Sequence, residues 1–270
     1  MFGRNPPGKP REAEVVALVG PPHKYGYGHL RRMELLKKGL AEQGIELSII
    51  IDDDYWLAIP RCRVLILDRR DTPFPPSGRE NAFFRLAIDN EGEGQRQAHL
   101  SLKLLPHDNM NHREFLQSLS FVILPQSISQ RKNRCQSSQV HLFNKNYPYP
   151  AELTLYAGRK RIHENLFRHQ LMKAKTFSCY YGQSFFEALY LGKEIYLYSL
   201  TPRHGQLARF FLEKWTALRH PQLYFDGQGL KRLCTLVKQV VHDGWPSPTT
   251  PIPAGGHLHS SGFHIPFQED

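Results

Sequence analysis

Hydrophobic positions along this chain fall into two alternating periods. EVVALVG (14–20) is a short apolar run rich in β-branched residues, which predicts a buried strand. Leu30, Met33, Leu36 and Leu40 then recur near helical spacing. Gly44 ends that pattern, and GIELSIIIDDD (44–54) carries a second strand. RVLILD (63–68) reads as a third and FRLAIDN (84–90) as a fourth. Apolar strands separated by helical patterns point to a parallel sheet covered on both faces, and so to the α/β class.

The alternation resumes further along. FVILPQS (121–127), ELTLYAG (152–158), TFSCYYG (176–182) and EIYLYSL (194–200) have strand character. Stretches 161–174, 184–192, 205–215 and 229–244 have helical character. The pattern weakens between 112 and 145, where QRKNRCQSSQ is polar. The expected organisation is therefore 1–120 and 121–244, two Rossmann-like halves facing a cleft, with the second reduced. Residues 245–270, rich in proline, glycine and serine and without periodicity, read as a disordered tail. GEGQRQ (92–97) reads as a turn.

Composition narrows the classes. The 270 residues carry a formal net charge of +10, dispersed over short basic groups. No zinc-finger spacing, basic heptad region or glycine-aromatic RNA-binding strand accompanies it, so no specific nucleic-acid partner is expected. No apolar run approaches the roughly 20 residues that span a bilayer, so no transmembrane segment is expected. The N-terminus lacks a secretory h-region, which makes the cytoplasm the expected location. The four cysteines form no C-x-x-C pair, and Cys179 and Cys234 read as core residues.

Two stretches carry chemistry. In HKYGYGHLRR (23–32), Gly26 and Gly28 bracket a tyrosine and His29 follows at a helix start. Ligands of open α/β sheets sit outside the carboxyl ends of strands, where this loop falls. A histidine there serves as a general base or simply hydrogen-bonds the loop. In CYYGQSFFEALYLG (179–192), Gly182 and Gln183 turn the chain, and Ser184 with Glu187 matches an S-x-x-E capping box. The same helix start is an anion site, suited to a diphosphate. Tyr55 and Asp68 also fall near carboxyl ends of first-half strands.

Together the stretches resemble the UDP-sugar hydrolases of pseudaminic- and legionaminic-acid-type biosynthesis and their spore-coat polysaccharide relatives, a family with the GT-B glycosyltransferase-like fold. G-x-G-H-x-x-R is carried by Gly26, Gly28, His29 and Arg32. YYGQSFFEALYLGKEIYLYSL and Gln206 carry the rest. The resemblance covers roughly 15–57 and 171–212. It implies that His29 is the catalytic base releasing UDP, and that Gly182, Ser184 and Glu187 hold the nucleotide. Gly28, Arg32 and Gln206 would face the sugar. No cofactor or metal is implied. The chain departs from the family at PPHK before the glycine turn, at Gln183 and at Gly205. A glycosyltransferase of this fold, or a nucleotide-sugar-binding protein without chemistry, is the alternative.

Overall fold

A computed structural model describes residues 13–25, 27–107, 110–130, 138–143, 164–197, 199 and 202–244. The expected strand at 152–158, the tail at 245–270 and Gly26 lie outside the described residues.

The first part runs β1 (Ala13–Val19), α1 (Pro22–Tyr25), α2 (Tyr27–Ala41), β2 (Leu47–Ile51), β3 (Cys62–Asp68), α3 (Pro76–Asn81), β4 (Ala82–Ile88), α4 (Glu93–Gln97) and β5 (Leu100–Leu102). These strands form one wholly parallel sheet in the order β2-β1-β3-β4-β5. The chain leaves β1 toward one neighbour and returns to the other, so the strand order reverses between β1 and β3. In an open parallel sheet that reversal opens a crevice at the carboxyl ends.

Strand alternation sends side chains to two covered faces. Val15, Ala17, Val19, Val64 and Ile66 pack against Met33, Leu36 and Leu40 of α2. Val16, Leu18, Leu65 and Leu67 enter a second cluster with Ile59 and Phe74. Gly78 of α3 and Gly94 of α4 pack on that second face, against Leu65 and Leu67. GEGQRQ is thus a short helix rather than a turn. Its glycines are needed because a Cβ at 92 or 94 would overlap the carbonyls of Asp71 and Thr72.

The second part runs α5 (His112–Phe121), α6 (Gln126–Ser129), β6 (Ser138–Phe143), α7 (Glu164–Lys173), β7 (Ala174–Cys179), α8 (Gln183–Tyr190), β8 (Glu194–Leu197), α9 (Pro202–Thr216), α10 (Pro221–Tyr224) and α11 (Gly229–Asp243). Strands β6, β7 and β8 make a parallel three-stranded sheet with its own apolar cluster, centred on Phe177, Phe185, Phe186 and Phe211.

FVILPQS is not a strand. Asn111 and Glu114 form a capping box that starts α5, and the helix continues through Phe121. Val122, Ile123 and Leu124 are apolar because the connector they form is buried, not because it pairs in a sheet. Two of its backbone groups have partners: Val122 N–H donates to Leu119 O, and Gln183 Nε2 donates to Ile123 O at 2.5 Å.

Helix α11 returns to the first sheet. Leu233, Cys234, Val237, Val240 and Val241 join the cluster of β1, β3 and α2. Its start is pressed onto the buried connector, where a Cβ on Gly229 would overlap the Val122 carbonyl oxygen. Gly229→Ala is therefore expected to cost about 2 kcal/mol, as overpacking against backbone does. Urea unfolding of the variant checks this, and an unchanged midpoint would show that the contact yields freely.

Candidate functional site

The site begins at the ends of three strands. Apolar β3 finishes in Asp68, and β4 is followed at once by Asp89. Asp89 adopts a left-handed backbone, φ +47°, which a short polar side chain tolerates. Helix α2 begins just beyond β1 and places His29 and Arg32 one turn apart on the same side. Sequence spacing thus delivers two carboxylates, an imidazole and a guanidinium to the mouth of the β1–β3 crevice.

His29 Nδ1 lies 2.7 Å from Asp68 Oδ1. A carboxylate only accepts, so Nδ1 carries the proton and donates it to Asp68. Nε2 is left as the basic nitrogen, with no bond among the described residues, while Arg32 Nη2 approaches Nδ1 at 3.1 Å. The imidazole is 11% exposed, enough to meet a ligand.

Arg32 is 3% exposed and turned inward. Its Nε donates to Asp68 Oδ2 at 2.6 Å, its Nη2 to Asp68 Oδ1, and its Nη1 to Asp89 Oδ2. Asp89 Oδ1 also accepts the backbone N–H groups of Leu104 (2.7 Å) and Leu105 (3.2 Å). Burial alone would raise the pKa of Asp68, but the charge of Arg32 and the hydrogen bonds from Arg32 and His29 hold it below the usual carboxylate range. Asp89 is likewise held well below that range, against its burial, by Arg32 and His107. Against its own burial, the two carboxylates push the Arg32 pKa upward.

Around this centre stand residues that periodicity did not reveal. His107 Nε2 is 3.4 Å from Asp89 Oδ1, and its Nδ1 is 3.7 Å from Glu91. Arg203 of α9 pairs with Glu91 at 3.2 Å. Arg31, next to Arg32, points the other way and pairs with Glu187 of α8 at 2.9 Å. Tyr181 donates to Pro106 O at 2.6 Å. Burial first, and Asp89 second, push its phenol pKa well up, so it stays protonated. An available sequence signal existed for Asp68 and Asp89: each closes an apolar strand at its carboxyl end.

Several sequence expectations change. Gly28 is inside the first turn of α2, not in a sharp loop. Arg32 faces two carboxylates rather than open space. Ser184 and Glu187 form no capping box: Gly182 is the N-cap, α8 has no side-chain cap, and Glu187 is 0% exposed on Arg31. The box fails because a half-buried arginine across the seam binds the buried carboxylate more strongly than one backbone N–H can. Gln206 lies exposed on α9. The Arg31–Glu187 pair does bring α2 and α8 together, and with them the two stretches that carry His29 and Gly182. A cavity of about 530 Å³ sits elsewhere, between β8, α8 and α9, lined by Ser178, Phe185, Ile195, Phe211 and Trp215.

No family model matches this chain, and no curated protein sequence does. Among the described residues, no helix is long and apolar enough to cross a membrane.

The network fixes a pH dependence. Because Asp68 and Asp89 are depressed in the folded state, the stability they contribute is present above the unfolded carboxylate pKa, about 4, and is lost as pH falls below it. Arg32→Met leaves two buried carboxylates without their cation. It is expected to lose about 3–5 kcal/mol at neutral pH, the cost of orphaning a buried charge. Uncompensated burial raises carboxylate pKa values, so the variant should regain stability between pH 7 and 5, where the wild type does not. Thermal melts across pH check this, and identical profiles for both proteins would refute the role given to Arg32.

Proposed function

We propose that the protein is a nucleotide-sugar hydrolase of the GT-B type, cleaving a UDP-sugar at its anomeric carbon and releasing UDP. The observation that carries the reading is the His29–Asp68 pair at the β1–β3 crevice. An imidazole oriented by a buried carboxylate, with Nε2 unoccupied, is the arrangement a general base needs. The resemblance in the two loops supplies the substrate class, in surface-glycan or nonulosonic-acid-type biosynthesis.

In this mechanism water attacks the anomeric carbon while His29 Nε2 takes its proton. The new carbon–oxygen bond forms as the bond to the diphosphate breaks, and UDP leaves with the electron pair. Asp68 holds the imidazole in place and offsets the positive charge that forms on it. The uncapped N-terminus of α8, at Gly182 and Ser184, offers free N–H groups and a positive dipole end to the diphosphate. Arg32 would act through Asp68 rather than by touching sugar. Glu187 would reach a ribose only by parting from Arg31. Gly28 offers a place for close approach, since nothing lies within 4 Å of where its Cβ would be.

The test is chromatographic detection of UDP released from a panel of UDP-sugars in water alone. Steady release is expected from at least one. His29→Ala should cut turnover by about 10²–10⁴, the usual contribution of a general base, while leaving UDP affinity nearly intact. Release that appears only with an added hydroxyl acceptor would make the protein a transferase. UDP binding with no release under any condition would leave a binding protein.

Gly28→Ala separates structure from chemistry at the same place. Open space and helical backbone predict unchanged or slightly raised stability, by up to about 1 kcal/mol. A loss of turnover without a loss of melting temperature would place a ligand against this backbone.

A further inference from the structure

Asp68 and Arg69 are consecutive, and they do opposite things. Asp68 continues the face of Val64 and Ile66 and meets α2. Arg69 continues the alternation of Leu65 and Leu67, toward the other covered face. It is 1% exposed. Yet its Nε and Nη2 meet no hydrogen-bond acceptor among the described residues. Those two nitrogens share one edge of the guanidinium, the edge that holds a carboxylate or phosphate with two parallel bonds.

The groups facing Arg69 are Asp52, Asp53 and Asp54, which follow β2, and Tyr25, which ends α1. None of the carboxylates bonds it. Asp53 is taken by Lys24 at 2.6 Å. Asp52 Oδ1 accepts the Asp54 N–H at 2.8 Å, and Asp54 Oδ1 accepts the Trp56 N–H at 2.9 Å. Asp71, just beyond, accepts the Glu91 N–H at 3.2 Å. Each of these acids therefore has an oxygen engaged by another partner. Tyr25 lies against Gly20, where any Cβ would overlap its ring. Glycine at 20 thus keeps room for a tyrosine beside the arginine, at the carboxyl end of β1.

A guanidinium buried without its bonds is costly, and an anion in its fork removes that cost. The place is also right: Arg69 stands at the carboxyl edge where the strand order reverses, one residue from the carboxylate that orients His29. We propose that Arg69 is an oxyanion receptor, holding a carboxylate or phosphate group of a ligand that lies along the β1–β3 crevice, with Tyr25 covering it. The site needs no nucleotide, so it stands or falls apart from the UDP-sugar reading.

Nuclear magnetic resonance of the full chain tests it. The Nε–Hε cross-peak of Arg69, assigned through its side-chain correlations, is followed while inorganic phosphate or acetate is added, with chloride at matched ionic strength as reference. The expected result is a saturable shift with at least one oxyanion and none with chloride. Phosphate alone would assign the fork to a phosphoryl group, and acetate alone to a carboxylate. Arg69→Lys keeps the charge and loses the fork, and should weaken binding about tenfold or more. Arg70→Gln removes one charge from the exposed neighbour and should change affinity less than about twofold. A cross-peak that neither oxyanion moves overturns the proposal, even if the lysine variant fails to fold. Equal weakening by the two substitutions overturns it as well, because diffuse positive charge would then account for the binding.

Discussion

The guanidinium of Arg32, buried between Asp68 and Asp89, is the contact on which the rest of this site depends. It ties the ends of β3 and β4 to the second turn of α2. Two carboxylates share one guanidinium, so the centre carries an excess of negative charge that must be met elsewhere. Asp89 meets it with the backbone N–H groups of Leu104 and Leu105 and with His107 nearby. Asp68 meets it with His29. The imidazole is thereby fixed in one tautomer and held beside a carboxylate whose other oxygen is already bonded. A buried ion network of this kind is weak evidence for stability. It is better understood as a device for placing His29.

The same region joins the two sheets. Arg31 reaches Glu187, Tyr181 reaches the Pro106 carbonyl, and Arg203 reaches Glu91. Helix α11 completes the join from behind, with its apolar stripe in the first core. Neighbouring residues on α2 therefore have divided duties: Arg32 faces inward to the strand ends at Asp68 and Asp89, and Arg31 faces outward to α8. Losing either would shift α2 against a different partner. The position of His29 relative to α8 is set by charges taken out of water, which move less readily than surface pairs.

Much of this was legible in the sequence, for a physical reason. Periods of two and 3.6 depend only on which side of an element is buried, so β1 to β4, α2 and α11 could be read directly. His29 was read at a helix start, and it stands in the first turn of α2. The partners of His29 were harder. Asp68 and Asp89 are remote in sequence, and only strand order brings their ends together. FVILPQS misled because an apolar run records burial, not conformation: Val122 to Leu124 are buried as a connector. The S-x-x-E pattern at Ser184 misled for a related reason. Local spacing predicts a local bond, but Glu187 found a charged partner 156 residues away. His107 follows no period, and Arg69 continues the alternation of Leu65 and Leu67, which marks a face but not a role.

Two buried arginines flank the end of β3, and the contrast between them is informative. Arg32 arrives from a helix and finds both carboxylates waiting, so its donors are used and its environment is closed. Arg69 belongs to the strand end itself and finds carboxylates nearby that are already engaged. The same desolvation acts on both. In the first case the fold supplies the anions and gains a fixed geometry. In the second it supplies a fork that meets no acceptor among the described residues, at the place where parallel sheets of this order receive ligands. A chain that can satisfy one buried guanidinium fully, three residues after His29, has the acidic residues at hand to satisfy the other. It turns Asp52, Asp53 and Asp54 to other partners instead, and leaves the edge of Arg69 with the chemistry that suits an anion.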